Sequence, residues 1–170
     1  VGVIALARRK ALAKELTSVE LLARVDTLCL DKTGTITTGE ISYGGVEALP
    51  GVDPAYVSAA LGALGGSDPS PNATLAAIIT AHDAPADWVA DDITPFSSAR
   101  KWAATHFVDR GSFYIGAPEI LIDPSDDDTL DRVRDRAEAG SRVLVLAHAE
   151  GEHQGERQPD VLRPLAIVTL

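Results

Sequence analysis

The chain has 170 residues, a formal net charge of −10 and one cysteine, with an apolar fraction of 45% that suits a folded globular protein. That length can bury a sizeable core and makes one or two small domains. The acidic balance argues against nonspecific binding to nucleic acid or to an anionic membrane surface, and a lone cysteine excludes an internal disulfide and fits a reducing compartment.

Residues 1–7 are apolar and run directly into Arg8-Arg9-Lys10. Seven residues cannot span a bilayer, which takes ~20. They fit the last turns of a membrane helix with a basic cluster at its cytoplasmic exit, and they fit the start of an amphipathic helix equally well. The charges lie on the wrong side of the apolar run for a signal peptide. The chain has no methionine, not even at position 1, so an excised piece of a longer polypeptide is expected. Residues 8–24 read as helix, with Leu12, Leu16, Val19 and Leu22 at helical spacing. Residues 25–30, Val-Asp-Thr-Leu-Cys-Leu, read as a buried strand, which makes Cys29 a small buried hydrophobe.

From about Ile41 the texture changes towards a second domain. Residues 41–49 are expected as a strand. Asp53 and Pro54 supply an N-cap and a first-turn proline for a helix that runs through Leu64 and ends at Gly65-Gly66. Asn72 can cap a helix through about Ala81. Residues 88–93 and 100–108 read as strands, and Asp109-Arg110-Gly111 turns the chain into a hairpin with 112–115. A short helix follows Pro118, a longer one spans about 125–139 and closes at Gly140, and 142–149 is an apolar strand. Residues 150–159 are polar and contain glycine, as a mobile loop would, and 162–170 reads as a final strand. Strands and helices interleave around a hairpin. That suggests an α/β insertion between two pieces of a parallel sheet.

Asp31-Lys32-Thr33-Gly34-Thr35-Ile36-Thr37 carries the chemistry. An acid emerges where a strand is expected to end and a Gly/Thr-rich loop begins, the place where open α/β sheets bind ligands. A lone carboxylate there could be an ordinary turn cap, but seven specified residues in a row make that improbable. Asp31 can attack a phosphoryl group and form an acyl-phosphate. Lys32 is a cation beside it, and Gly34 lets the backbone turn tightly and approach a phosphate closely. Two residues after Asp31 stands Thr33, which cannot act as a general acid or base near neutral pH, so an acyl-phosphate should persist. Of the four histidines, His82, His106, His148 and His153, none has a partner at metal-ligand spacing, and all read as structural or exposed.

The seven-residue segment resembles the phosphorylation motif of the P-type ATPases, ion pumps of the haloacid-dehalogenase-like superfamily, with Ile36 where Leu is commoner. The resemblance implies that Asp31 is the phosphorylated aspartate and that Thr33 gives its backbone carbonyl to Mg²⁺ and helps hold the γ-phosphate. Asp31 and Thr33 are thus the implied metal residues, and Asp31, Lys32 and Thr33 the implied catalytic ones. Pro95-Phe96-Ser97-Ser98-Ala99-Arg100-Lys101 is similar to a family segment whose Phe stacks on adenine and whose Lys lies in the ATP pocket, positions matched by Phe96 and Lys101. Gly116-Ala117-Pro118-Glu119 resembles the family's Lys-Gly-Ala-Pro-Glu motif with Ile115 in place of the lysine. Leu75 stands where many relatives carry a glutamate that bonds the adenine amino group, and Arg142 matches an arginine that reaches the phosphates. With no Ser-Glu-His-Pro segment, the chain looks closer to the calcium-pump-like class than to the heavy-metal exporters.

The implied architecture is a nucleotide-binding domain with an antiparallel sheet and packed helices, residues 41–160. It would be inserted into a fragment of a Rossmann-like parallel-sheet phosphorylation domain. Residues 1–40 would be a membrane-exit helix and the start of that domain, and 161–170 its return strand. The implied cofactors are ATP and Mg²⁺. The implied partners are ATP and the pump's transmembrane, actuator and remaining phosphorylation domains, with no nucleic acid, at the cytoplasmic face of a membrane. The fragment itself should bind nucleotide and hydrolyse almost none. Two other readings remain: a soluble phosphohydrolase of the same superfamily, disfavoured by Thr33, and a nucleotide-binding module without chemistry.

Overall fold

The structure is a computed structural model and describes residues 2–11, 15–22, 24–31, 35, 41–150 and 155–170. They fall into two units, Val1–Glu40 and Ile41–Leu170.

In the first unit, helix α1 is Gly2–Arg8 and helix α2 is Leu16–Leu22. The single helix expected over 8–24 is therefore broken. Lys10 takes φ 61, a left-handed conformation that cannot continue a right-handed helix. Residues 25–30 are in no strand, and Val25, Leu28 and Leu30 are 52%, 72% and 52% exposed, with Cys29 exposed as well. This corrects the expectation of a buried strand there. An apolar run forms a strand only when another strand pairs with it and a layer covers it, and no strand occurs among the described residues of this unit. Among the described residues no helix is long and apolar enough to cross a membrane.

The second unit is built on local signals that act early in each element. Asp53 accepts a hydrogen bond from the Ala55 N–H at 2.9 Å and Pro54 opens helix α3, Pro54–Ser67. Asn72 accepts from the Leu75 N–H at 3.0 Å to start α4, Ala73–Ile79. α3 runs through Gly65-Gly66 instead of ending there. Gly65 is buried against α4, where a Cβ would stand 2.7 Å from Ile79 Cγ1. Gly62 faces an even closer approach, 2.1 Å from the Asp83 carbonyl oxygen. These glycines serve helix packing, which outweighs their cost to the helix.

Six strands form one antiparallel sheet: β1 Gly45–Ala48, β2 Ala90–Ser97, β3 Trp102–Phe107, β4 Gly111–Gly116, β5 Val143–Ala149 and β6 Arg163–Thr169, in the order β1-β6-β5-β4-β3-β2. The β3–β4 hairpin turns where expected, with Asp109 at φ 62 and Gly111 at φ 78. Helices α5, Pro118–Leu121, and α6, Asp127–Glu138, lie between β4 and β5. Alternation along the strands makes two cores. Phe107, Phe113, Ile115, Leu146 and Val168 pack with Val57, Leu61, Leu64, Leu75 and Ile78 of α3 and α4. Trp102, Tyr114, Val145 and Ala147 pack with Leu121, Leu130 and Val133 from α5 and α6. α6 is also tied to β1. Arg136 and Arg132 both reach the Glu47 carboxylate, at 2.7 and 2.9 Å, and Arg136 foremost holds that carboxyl below its ordinary range.

Residues 161–170 were expected to leave for the phosphorylation domain. β6 instead pairs on one side with β1, Gly45 opposite Thr169, and on the other with β5, Val143 opposite Thr169. Leu165, Ala166, Ile167 and Val168 are buried in succession, covered on both faces of this sheet, which fixes β6 here. Within the expected loop 150–159, residues 151–154 lie outside the described residues.

Tyr43, just ahead of β1, is held by His82. The imidazole lies 2.8 Å from Ser58 Oγ through Nδ1 and 2.7 Å from the Tyr43 hydroxyl through Nε2. Burial pushes the His82 pKa below its usual value. The unfolded chain takes up that proton near pH ~6.5. The stabilisation is therefore complete above that pH and lost as pH falls through the lower folded value, by at most ~1.4 kcal/mol per unit of pKa difference. Urea midpoints should drop between about pH 7.5 and about pH 5.5, and the drop should shrink in His82→Gln. An unchanged pH slope in the variant would mean that His82 does not titrate with unfolding.

Candidate functional site

One cleft sits on the α4 side of the sheet, at the end where β4 stops and β5 starts. Its floor is Ala103, Ile115 and Leu144 from three adjacent strands, Ile115 lying opposite Ala103 in the register. Asn72, Thr74 and Leu75 at the start of α4 and Phe96 of β2 also line it, with buried Gly116 and exposed Arg142. The cavity measures about 80 Å³, well below the several hundred Å³ of pockets that enclose a whole drug-sized molecule. A whole nucleotide cannot be enclosed there.

Phe96 owes its position to a bulge. Thr94 pairs with Ala104 and Ser97 with Trp102, so β2 carries one extra residue at Pro95-Phe96. β2 is an edge strand, where a proline lacking an N–H is tolerated. The bulge interrupts the burial alternation and leaves Phe96 39% exposed beside the cleft, in contrast to the fully buried Phe107 and Phe113.

Gly116 has a different reason for being glycine from the close passage of a ligand. A Cβ there would stand 2.5 Å from the Lys101 carbonyl oxygen and 2.6 Å from Trp102 Cβ. The β2–β3 turn is pressed onto the end of β4, and the Ala117 N–H donates to that same carbonyl at 3.0 Å. Lys101 itself is forced to φ 63. Its ammonium donates to Glu119 Oε1 at 2.9 Å and holds the Glu119 carboxyl below its ordinary range. Lys101 and Ala117, both expected at the pocket, are thus not among the walls of the cleft. Phe96, Gly116 and Arg142 are brought together there. Arg142 is exposed and has no carboxylate partner among the described residues, while its backbone N–H and C=O pair with Leu170. Arg100 is engaged elsewhere, donating to Glu156 at 2.6 Å and the Pro95 carbonyl at 2.7 Å beneath the Trp102 ring.

Ile115 is a wall residue and only 3% exposed, so the position that lacks a lysine faces the cleft from inside the core. Ala103, Leu144 and Thr74 were not expected as walls. The first two follow from the sheet face they share with Ile115, a signal that needs the register to be read.

Asp31 is exposed, and Lys32 and Thr33 lie outside the described residues. A hard divalent cation takes oxygen ligands, which the Asp31 carboxylate can supply. Among the described residues no three His, Cys, Asp or Glu side chains cluster as a metal site.

No family model matches the chain. It is 39% identical over its whole length to the calcium-transporting ATPase CtpE of Mycolicibacterium smegmatis and 40% identical to that of Mycobacterium tuberculosis, covering 21% of each. A probable cation-transporting ATPase of Streptococcus pneumoniae is 37% identical over 99% of the chain and 22% of its own length. The chain spans about a fifth of the length of these relatives. Similarity of this level along the entire chain, together with the Asp31 segment and an antiparallel sheet with packed helices, supports a fragment of a P-type ATPase.

Proposed function

We propose that residues 41–170 bind ATP by its base in the Phe96 cleft, and that Asp31 accepts the γ-phosphoryl group, in a pump that moves a cation across a membrane from its cytoplasmic face. The observation that carries this is the small, mainly apolar cleft. Phe96 offers an open aromatic face, Leu75 and Ile115 offer apolar walls, and the exposed Arg142 would meet the phosphates of a bound nucleotide. An arginine fork suits phosphate oxygens. In the reaction, an Asp31 carboxylate oxygen bonds to the γ-phosphorus as the bond from that phosphorus to the β–γ bridging oxygen breaks, and ADP departs with the electron pair. Mg²⁺, held by Asp31 and Thr33 together with the phosphates, would supply charge neutralisation. Because Thr33 is no acid, nothing at that position activates water against the acyl-phosphate, which suits a cycle that must hold the phosphoenzyme while an ion moves. Relatives named as calcium transporters make calcium the first ion to test.

Binding tests the reading directly. In NMR titrations, ATP and AMP should shift amides around residues 72–75, 96, 115–116 and 142–144. Phe96→Ala should weaken both ligands by about fivefold, since an aromatic stack contributes about 1 kcal/mol and the base is common to both. A folded Phe96→Ala protein that binds ATP and AMP as the wild type does would place the base elsewhere.

A further inference from the structure

We infer that this cleft does not select adenine: it takes 6-oxo purines, guanine and hypoxanthine, as well as it takes 6-amino purines. The inference rests on the cleft being the base site. A purine's two forms differ at one edge, where adenine presents a donor amino group and guanine an acceptor oxygen. Telling them apart requires a fixed acceptor for the first or a fixed donor that rejects it. The side chains of Leu75, Phe96, Ala103, Ile115 and Leu144 that line it carry neither. No carboxylate lines the cleft among the described residues.

The polar groups at its edge do not favour the amino form. The Asn72 carbonyl oxygen is engaged by the Leu75 N–H at 3.0 Å in capping α4, so the amide is left chiefly with its N–H donors. The Arg142 guanidinium only donates. The Thr74 hydroxyl donates or accepts with equal ease, so it adapts to either base. Donors match the guanine oxygen at least as well as the adenine ring. An apolar pocket discriminates by size and shape and rejects a polar change weakly, whereas a site built around a buried hydrogen bond rejects strongly. Stacking on Phe96 and contact with Leu75 and Ile115 should separate two-ring from one-ring bases and little else.

The test is calorimetric or NMR titration of the wild-type 170-residue chain with ATP, GTP, ITP and CTP at one ionic strength and Mg²⁺ concentration. GTP and ITP should bind within about threefold of ATP, with CTP several-fold weaker because its single ring covers less of the cleft. ATP tighter than GTP by more than about tenfold overturns the inference while leaving the nucleotide site intact. CTP equal to the purines overturns it as well, because binding would then run through the phosphates alone. If none of the four perturbs the amides of Phe96, Ile115 and Gly116, the base-site reading itself fails. Leu75→Glu adds the missing acceptor at the wall and should move the ATP-to-GTP ratio towards ATP by about tenfold. A folded Leu75→Glu protein with the wild-type ratio would mean that Leu75 does not face the base edge. Should that variant not fold, the wild-type series decides alone.

Discussion

On the function proposed above, Asp31→Asn should abolish phosphoenzyme formation in the full-length protein. The amide is nearly isosteric with the carboxylate, so binding of nucleotide in the Phe96 cleft should be unchanged. It has no anionic oxygen to attack phosphorus, and the acyl-phosphate linkage cannot form. Incubation with γ-labelled ATP, acid quenching and gel separation should give a labelled band in wild type that hydroxylamine removes, and no band in the variant. A neighbour such as Asp26 cannot substitute, because in-line transfer requires the nucleophile in attack geometry, with reacting atoms about 3–3.5 Å apart. Undiminished labelling in Asp31→Asn would remove Asp31 from the chemistry and, with it, the role proposed for Thr33. Labelling that survives hydroxylamine in wild type would point to a phosphate ester instead.

The largest stability effect should come from Phe113→Ala. Phe113 is 0% exposed and its ring meets four others: His148 at 4.7 Å, Trp88 at 5.2 Å, Phe107 at 5.8 Å and Tyr56 at 6.0 Å between centroids. Those neighbours belong to β3, β5, α3 and the segment before β2, so no single movement can close the void. Burial loss plus an uncollapsed cavity costs about 3–5 kcal/mol for a fully buried phenylalanine. That is a large share of the ~5–15 kcal/mol by which domains are stable. Urea denaturation of the two proteins should show it as a shifted midpoint with an unchanged slope. Phe96→Ala serves as the internal contrast, because its ring is already partly in solvent and should change the midpoint little. A Phe113→Ala cost below about 1 kcal/mol would mean that the aromatic cluster reorganises freely.

What the sequence revealed was what is decided locally. Asp53 and Asn72 cap their helices through bonds spanning two or three residues, and the Asp109–Gly111 turn needs only its own backbone preferences. The Phe96, Gly116 and Arg142 segments, far apart in the chain, do meet at one cleft, with Leu75 and Ile115 on its walls. Features decided by distant partners were misread. Gly65-Gly66 looks like a helix end, yet Ile79 on the next helix requires the small residue. Residues 25–30 have the composition of a strand but no strand beside them among the described residues, and composition cannot supply one. Lys101 was matched to a pocket lysine by resemblance; here its ammonium donates to Glu119, and it is not among the residues lining the cleft. β6 was assigned away from the sheet because its two neighbours, β1 and β5, are set by a register that no short window contains.

That register has a consequence for how the chain is made. Thr169 meets Gly45 across 124 residues, so β1 leaves the ribosome long before its strand partner β6 exists. At ~5–20 residues per second the wait is roughly 6–25 s. Throughout it, the apolar sides of α3 and α4 lack the β6 residues Leu165 and Val168 that complete their core. Local helices form in microseconds, but the sheet cannot close until β6 has been made. Chaperone capture and aggregation therefore compete with folding chiefly in that interval. Polypeptides halted just before residue 163 should be held by chaperones far more than those extended well past residue 170.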